Sequence, residues 1–86
     1  MKYNVFSLYD TKSASYSQPF YSVNADVAVR SVVDLAADKS NAVGKHPGDY
    51  SLFCLGSFDD ALGSFANLPH PENLGFVSQF MEASNA

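Results

Sequence analysis

The sequence predicts an α+β domain built on a mainly antiparallel sheet, with its elements in the order β-β-α-β-β-α. Three observations predict it. Paired stretches near the start and past the middle are rich in aromatic and branched residues and are divided by turn-forming residues. One long segment between them places apolar residues at three- and four-residue steps. The tail repeats that helical spacing over a shorter length.

Residues 2–9, KYNVFSLY, form the first predicted strand, and Asp10-Thr11-Lys12-Ser13 follows as a turn. Residues 15–23, SYSQPFYSV, are its antiparallel partner. Pro19 donates no ladder hydrogen bond, so this strand belongs at an edge or carries a bulge there. Asn24 is a good N-cap, and Asp26 suits the first turn of a helix running to about Asp38. Ala25, Ala28, Val29, Val32, Leu35 and Ala36 make its apolar stripe. Asp26, Arg30 and Asp34 follow at four-residue spacing on the opposite side, which suits salt bridges worth ~0.2–0.5 kcal/mol each. Residues 40–48, punctuated by Gly44, Pro47 and Gly48, form a loop. YSLFCLGSF (50–58) is the strongest strand, and Asp59 to Gly63 makes a tight connection with Gly63 free to take positive φ. SFANL (64–68) returns, Pro69-His70-Pro71 stops it, and residues 72–83 form a short helix interrupted by Gly75.

The chain has 86 residues, enough for one domain and no more. Apolar residues make up 47%, so a packed core is affordable and disorder is disfavoured. Cys54 is the only cysteine, which excludes an internal disulfide and a cysteine-based zinc site in the monomer; mid-strand, it suits a small buried hydrophobe. No apolar run approaches ~20 residues, so no membrane span is expected, and the opening MKYNVFSLYD lacks the apolar stretch of a secretory signal.

Charge is distributed unevenly. Residues 1–45 hold all five basic side chains and four acidic ones, for a net +1; residues 46–86 hold five acidic side chains and none basic. The total of −4 disfavours a free-standing basic nucleic-acid binder. Phosphate contacts must come from the first half, or from cations pooled by self-association.

Both long strands carry large apolar groups on both faces: Phe6 and Leu8 against Tyr3, Val5 and Tyr9 on the first, and Tyr50, Leu52, Cys54, Gly56 and Phe58 against Ser51, Phe53, Leu55 and Ser57 on the third. A sheet covered on one side alternates more cleanly. One good helix covers one face; the other needs the tail helix, a ligand or a second chain. A homodimer is the economical expectation.

Candidate sites are few. Lys45-His46-Pro47-Gly48-Asp49-Tyr50 reads either as a contact loop, with Lys45 on phosphate and Tyr50 stacking on a base, or as a capped loop with Tyr50 in the core. Tyr3, Tyr9, Tyr16 and Tyr21 lie on the first hairpin with Lys2 and Lys12, a pattern that suits single-stranded nucleic acid and cross-strand packing equally. The nucleic-acid-binding candidates are Lys2, Tyr3, Tyr9, Lys12, Arg30, Lys45, His46 and Tyr50. His46 and His70 with Asp59, Asp60 or Glu72 lack any metal-ligand spacing, so no metal or other cofactor is expected. Phosphate-loop and nucleophile-elbow motifs do not occur, and Asp59-Asp60 reads as turn chemistry; no enzymatic constellation is expected.

The opening MKYNVFSLYDTKSASYSQPF, the segment NADVAVRSVVD and the later GKHPGDYSLFCLGSFDDALG resemble the small nonstructural protein of gokushoviruses, single-stranded DNA phages of the microvirus group. The resemblance runs from residue 1 to about residue 75 and is most specific over residues 44–60. It implies a protein of the infected host's bacterial cytoplasm, absent from the capsid shell, that assists viral DNA replication, the switch to single-stranded synthesis, or packaging. It supplies no catalytic residues. Two roles follow: a homodimeric accessory protein in weak, steeply salt-dependent contact with single-stranded DNA or phage and host replication proteins, or a protein–protein adaptor that never touches nucleic acid.

Overall fold

A computed structural model describes residues 1–84. Strand β1 (Lys2–Asp10) forms the spine of one antiparallel sheet. Along one edge it pairs with β2 (Ser15–Tyr16) and β3 (Phe20–Ser22), two pieces of an interrupted strand. Along the other it pairs with β4 (Tyr50–Asp59), and β4 pairs with β5 (Ser64–Phe76). The described residues also form three α-helices: α1 (Ala25–Ala37), α2 (Ala42–Lys45) and α3 (Val77–Ser84). The α+β class and the predicted order of the main elements hold.

Pro19 divides the second strand as its missing N–H requires. The break is satisfied by a side chain: the Leu8 N–H donates to Ser17 Oγ at 3.0 Å, and Ser7 Oγ lies 2.8 Å from the Ser17 carbonyl oxygen. Asn24 caps α1, its Oδ1 accepting the Val27 N–H at 2.9 Å. Ala28, Val32 and Ala36 bury their side chains one turn apart, and Phe6, Leu8, Leu52 and Val77 complete the core with them.

Three boundaries differ from the sequence expectation. The predicted loop 40–48 contains α2, because Asn41 acts as a second N-cap and accepts the Gly44 N–H at 2.9 Å; a 3₁₀ turn, Pro47–Asp49, follows. β5 does not stop at Leu68. It is an edge strand, and residues 68–71 bulge outward between the pairs Cys54–Glu72 and Gly56–Asn67, so Pro69 and Pro71 need no ladder donor. Consequently residues 72–76 are strand, Gly75 takes φ +135° there, and the last helix starts at Val77 instead of residue 72.

The tail helix packs beside α1. Val77, Phe80 and Met81 join the same core as Phe6 and Leu8. Both major helices therefore cover one face of the sheet, and neither covers the other.

Candidate nucleic-acid interface

The uncovered face is built by alternation along β1. Phe6 and Leu8 point to the helices, so Tyr3, Val5, Ser7 and Tyr9 point away. Register carries the same face across the sheet: Tyr16 lies opposite Tyr9, Tyr21 opposite Val5, Phe53 opposite Ser7, Phe58 opposite Tyr3, and Phe65 opposite Phe58.

Two ring clusters result. In the first, the Tyr9 and Tyr16 centroids are 4.8 Å apart, and Phe53 stands edge-on to both, 6.0 Å from Tyr9 and 5.4 Å from Tyr16. In the second, Phe58 lies 6.0 Å from Tyr21 and 4.9 Å from Phe65, and Tyr3, Tyr21 and Phe58 enclose a notch of about 340 Å³. These are ordinary tilted and edge-to-face spacings for aromatic pairs. The rings shield what lies between them: Val5 and Ser7 are buried, whereas Tyr16, Tyr21 and Phe65 present about half their surface to solvent.

Register also settles where the strand charges go. The charged residues of the strands are Lys2, Asp10, Asp59 and Glu72. Lys2 and Asp10 share the parity of Phe6 and Leu8, Asp59 lies opposite Lys2, and Glu72 lies opposite Cys54, which packs on the core. All four belong to the helix side. The aromatic face is filled out by Ser51, Gly56, Asn67 and Asn73 and carries no strand charge of either sign.

Of the predicted site residues, only some converge. Tyr3 and Tyr9 lie on the aromatic face, and Lys12 is exposed in the turn beside the Tyr9–Tyr16 pair. Lys2 is on the opposite side of the sheet. Arg30 lies on α1 in a cleft between α1 and α3, with Asp26, Asp34 and Phe80. It forms no ion pair there; among the described residues the ion pair is that of the Met1 ammonium with Asp60, at 2.6 Å. Lys45 ends α2, and the exposed His46 caps it, its backbone N–H on the Ala42 carbonyl. Tyr50 is half-buried and packs against the core on the helix side, away from the aromatic face. Cys54 is half-buried on the same side, 3.8 Å from the Gly56 carbonyl oxygen.

Phe53, Phe58 and Phe65 are the residues that sequence reasoning did not assign to the site. Strict alternation groups Phe58 with Leu52, on the wrong face. The extra residue between the pairs Phe6–Cys54 and Val5–Gly56 reverses that parity. A glycine inside a strand run, Gly56, is the signal that marks such a bulge.

The domain thus carries its helices on one face of the sheet and an aromatic platform without strand charges on the other. The family model described as Phage ORF5 protein matches residues 3–80, and the chain belongs to that family. No curated protein and no solved structure matches it. Among the described residues no helix is long and apolar enough to cross a membrane.

Proposed function

We propose that this phage protein is a non-enzymatic accessory factor that holds single-stranded DNA by stacking bases on the aromatic face, in support of viral replication or packaging in the host cytoplasm. The single observation behind this reading is the platform itself: seven rings in two clusters on a sheet face without a strand carboxylate. Every base has a π-face, so stacking on such rings is tolerant of sequence and contributes ~1–3 kcal/mol per base. The net charge of −4 ceases to oppose it, because the strand carboxylates face the other way. The resemblance to gokushovirus nonstructural proteins supports the same role.

Titration of a fluorescently labelled oligonucleotide at low salt tests this. Binding is expected at tens of micromolar protein, within the weak range typical of non-specific contact. Tyr16→Ala, Tyr21→Ala and Phe65→Ala remove exposed rings and are expected to weaken it without unfolding the chain. Absence of binding, or binding indifferent to all three, overturns the reading. A second reading has its own support, since an aromatic surface depleted of charge is also what the centre of a protein interface looks like. An adaptor of that kind would retain a partner protein in a nuclease-treated pull-down and lose it with the same three substitutions.

A further inference from the structure

The rings of the aromatic face do not form one continuous surface. On this face, among the described residues, ring contacts fall within one cluster or the other: Tyr9, Tyr16 and Phe53 at one end, and Tyr21, Phe58 and Phe65 at the other, where Tyr3 joins them around the notch. The strip between them offers no ring. Val5 and Gly56 pair there, and both are buried. Rings stand out at each end instead: Tyr16 is 45% exposed at one, and Tyr21 and Phe65 are 51% and 60% exposed at the other.

The sheet fixes the separation. Tyr3 and Tyr9 are six residues apart on β1, and the extra residue of the bulge lies on β4, so β1 itself runs on unbroken. Their positions therefore differ by about 20 Å at ~3.4 Å per residue. Rings held on a hydrogen-bonded strand cannot close that gap, so a single base reaches one cluster only. A single strand with stacked bases, at ~3.4 Å per nucleotide, covers the distance in about six steps, and a more extended strand covers it in fewer.

We infer, on the reading that this face stacks bases, that its ligand is one continuous single strand long enough to bridge both clusters, about six nucleotides when stacked. A base near each end of that stretch lies on a cluster, and the nucleotides between them cross the Val5–Gly56 strip without stacking on protein. The clusters are two weak subsites joined through the ligand. Once one base is seated, the tether holds the other at a high effective concentration beside the second cluster. Mononucleotides and very short fragments forgo that gain.

Two labelled oligothymidylates of about eight nucleotides, equal in phosphates and in number of bases, test this on the full chain at low salt. One keeps its bases at both ends and is abasic in the centre; the other keeps them in the centre and is abasic at both ends. The first is expected to bind within about twofold of the complete strand, because it still seats a base on each cluster. The second reaches one cluster at a time and is expected to bind roughly tenfold more weakly. Tyr16→Ala, or Tyr21→Ala with Phe65→Ala, disables one cluster at exposed positions and is expected to erase the difference between the two probes. Equal binding of both probes by the unaltered protein, or a difference that survives these substitutions, overturns the bridge and leaves stacking standing. Failure of the complete strand to bind overturns the stacking reading and the bridge with it.

Discussion

Tyr50 and Asp10 face each other across the β1–β4 ladder, and their chemistry makes opposite demands on pH. Burial raises the Tyr50 hydroxyl above its ordinary value, and the Asp10 carboxylate raises it further. The Asp10 carboxyl is held below the usual range, chiefly by the Lys12 backbone N–H at 2.9 Å, with the Ser13 and Tyr50 hydroxyls adding to it. For Tyr50 the folded value exceeds the unfolded one, so its contribution is fully present below about pH 10 and is lost as pH rises through the folded value. For Asp10 the folded value lies lower, so its contribution is present above about pH 4 and is lost as pH falls through the folded value. The urea midpoint followed against pH is expected to drop on both limbs. Tyr50→Phe should flatten the alkaline limb and Asp10→Asn the acid one, and curves that stay parallel to the parent would show that the pair does not set them. The sequence offered Tyr50 both as a stacking face and as core; the helix-side parity it shares with Leu52 decides for core.

At the scale of elements, what periodicity governs was legible and what a bulge governs was not. α1 is anticipated from Asn24 to its last turn, because capping and a three-to-four step act within a few residues. Pro19 marks its strand break for an equally local reason. The third strand and its partner depart from expectation because bulges count residues across strands, and one chain read alone does not reveal its partner's register. Leu55 is extra on β4, four residues loop out opposite it on β5, and Phe58 changes face as a result. Gly56 holds this junction. A Cβ placed there would sit 2.3 Å from the Ala66 carbonyl oxygen and 3.0 Å from the Asn67 Cα, and both are backbone atoms that cannot swing aside. Gly56→Ala is therefore expected to destabilise the fold by about 1–3 kcal/mol, read as a lowered urea midpoint at an unchanged denaturant slope. An unchanged midpoint would mean that β5 slides freely past β4 at this point, and the Phe58–Phe65 pairing would lose its anchor.

Over the whole molecule, rings and cations are segregated onto different sides. Lys2 and Arg30 belong to the helix side of the sheet, Lys39 and Lys45 follow α1 in the segment around α2, and Lys12 alone adjoins a ring cluster. The expectation of a steep salt dependence places lysines and tyrosines on one surface; for a strand stacked on the aromatic face this separation predicts a shallower one. For single strands each neutralised phosphate contributes roughly −0.7 to the slope of log affinity against log salt. A strand lying on the aromatic face meets Lys12 and few other cations, so the slope is expected at about −1 or shallower. Lys12→Ala should bring it towards zero, whereas Lys2→Ala, Arg30→Ala and Lys45→Ala should leave it in place. Affinity would then rest on stacking, and the loss on Tyr16→Ala should be the same at low and moderate salt. A slope of about −3, cut roughly in half by Arg30→Ala with Lys45→Ala, would place the nucleic acid across the helices, and the aromatic face would then be left for a protein partner.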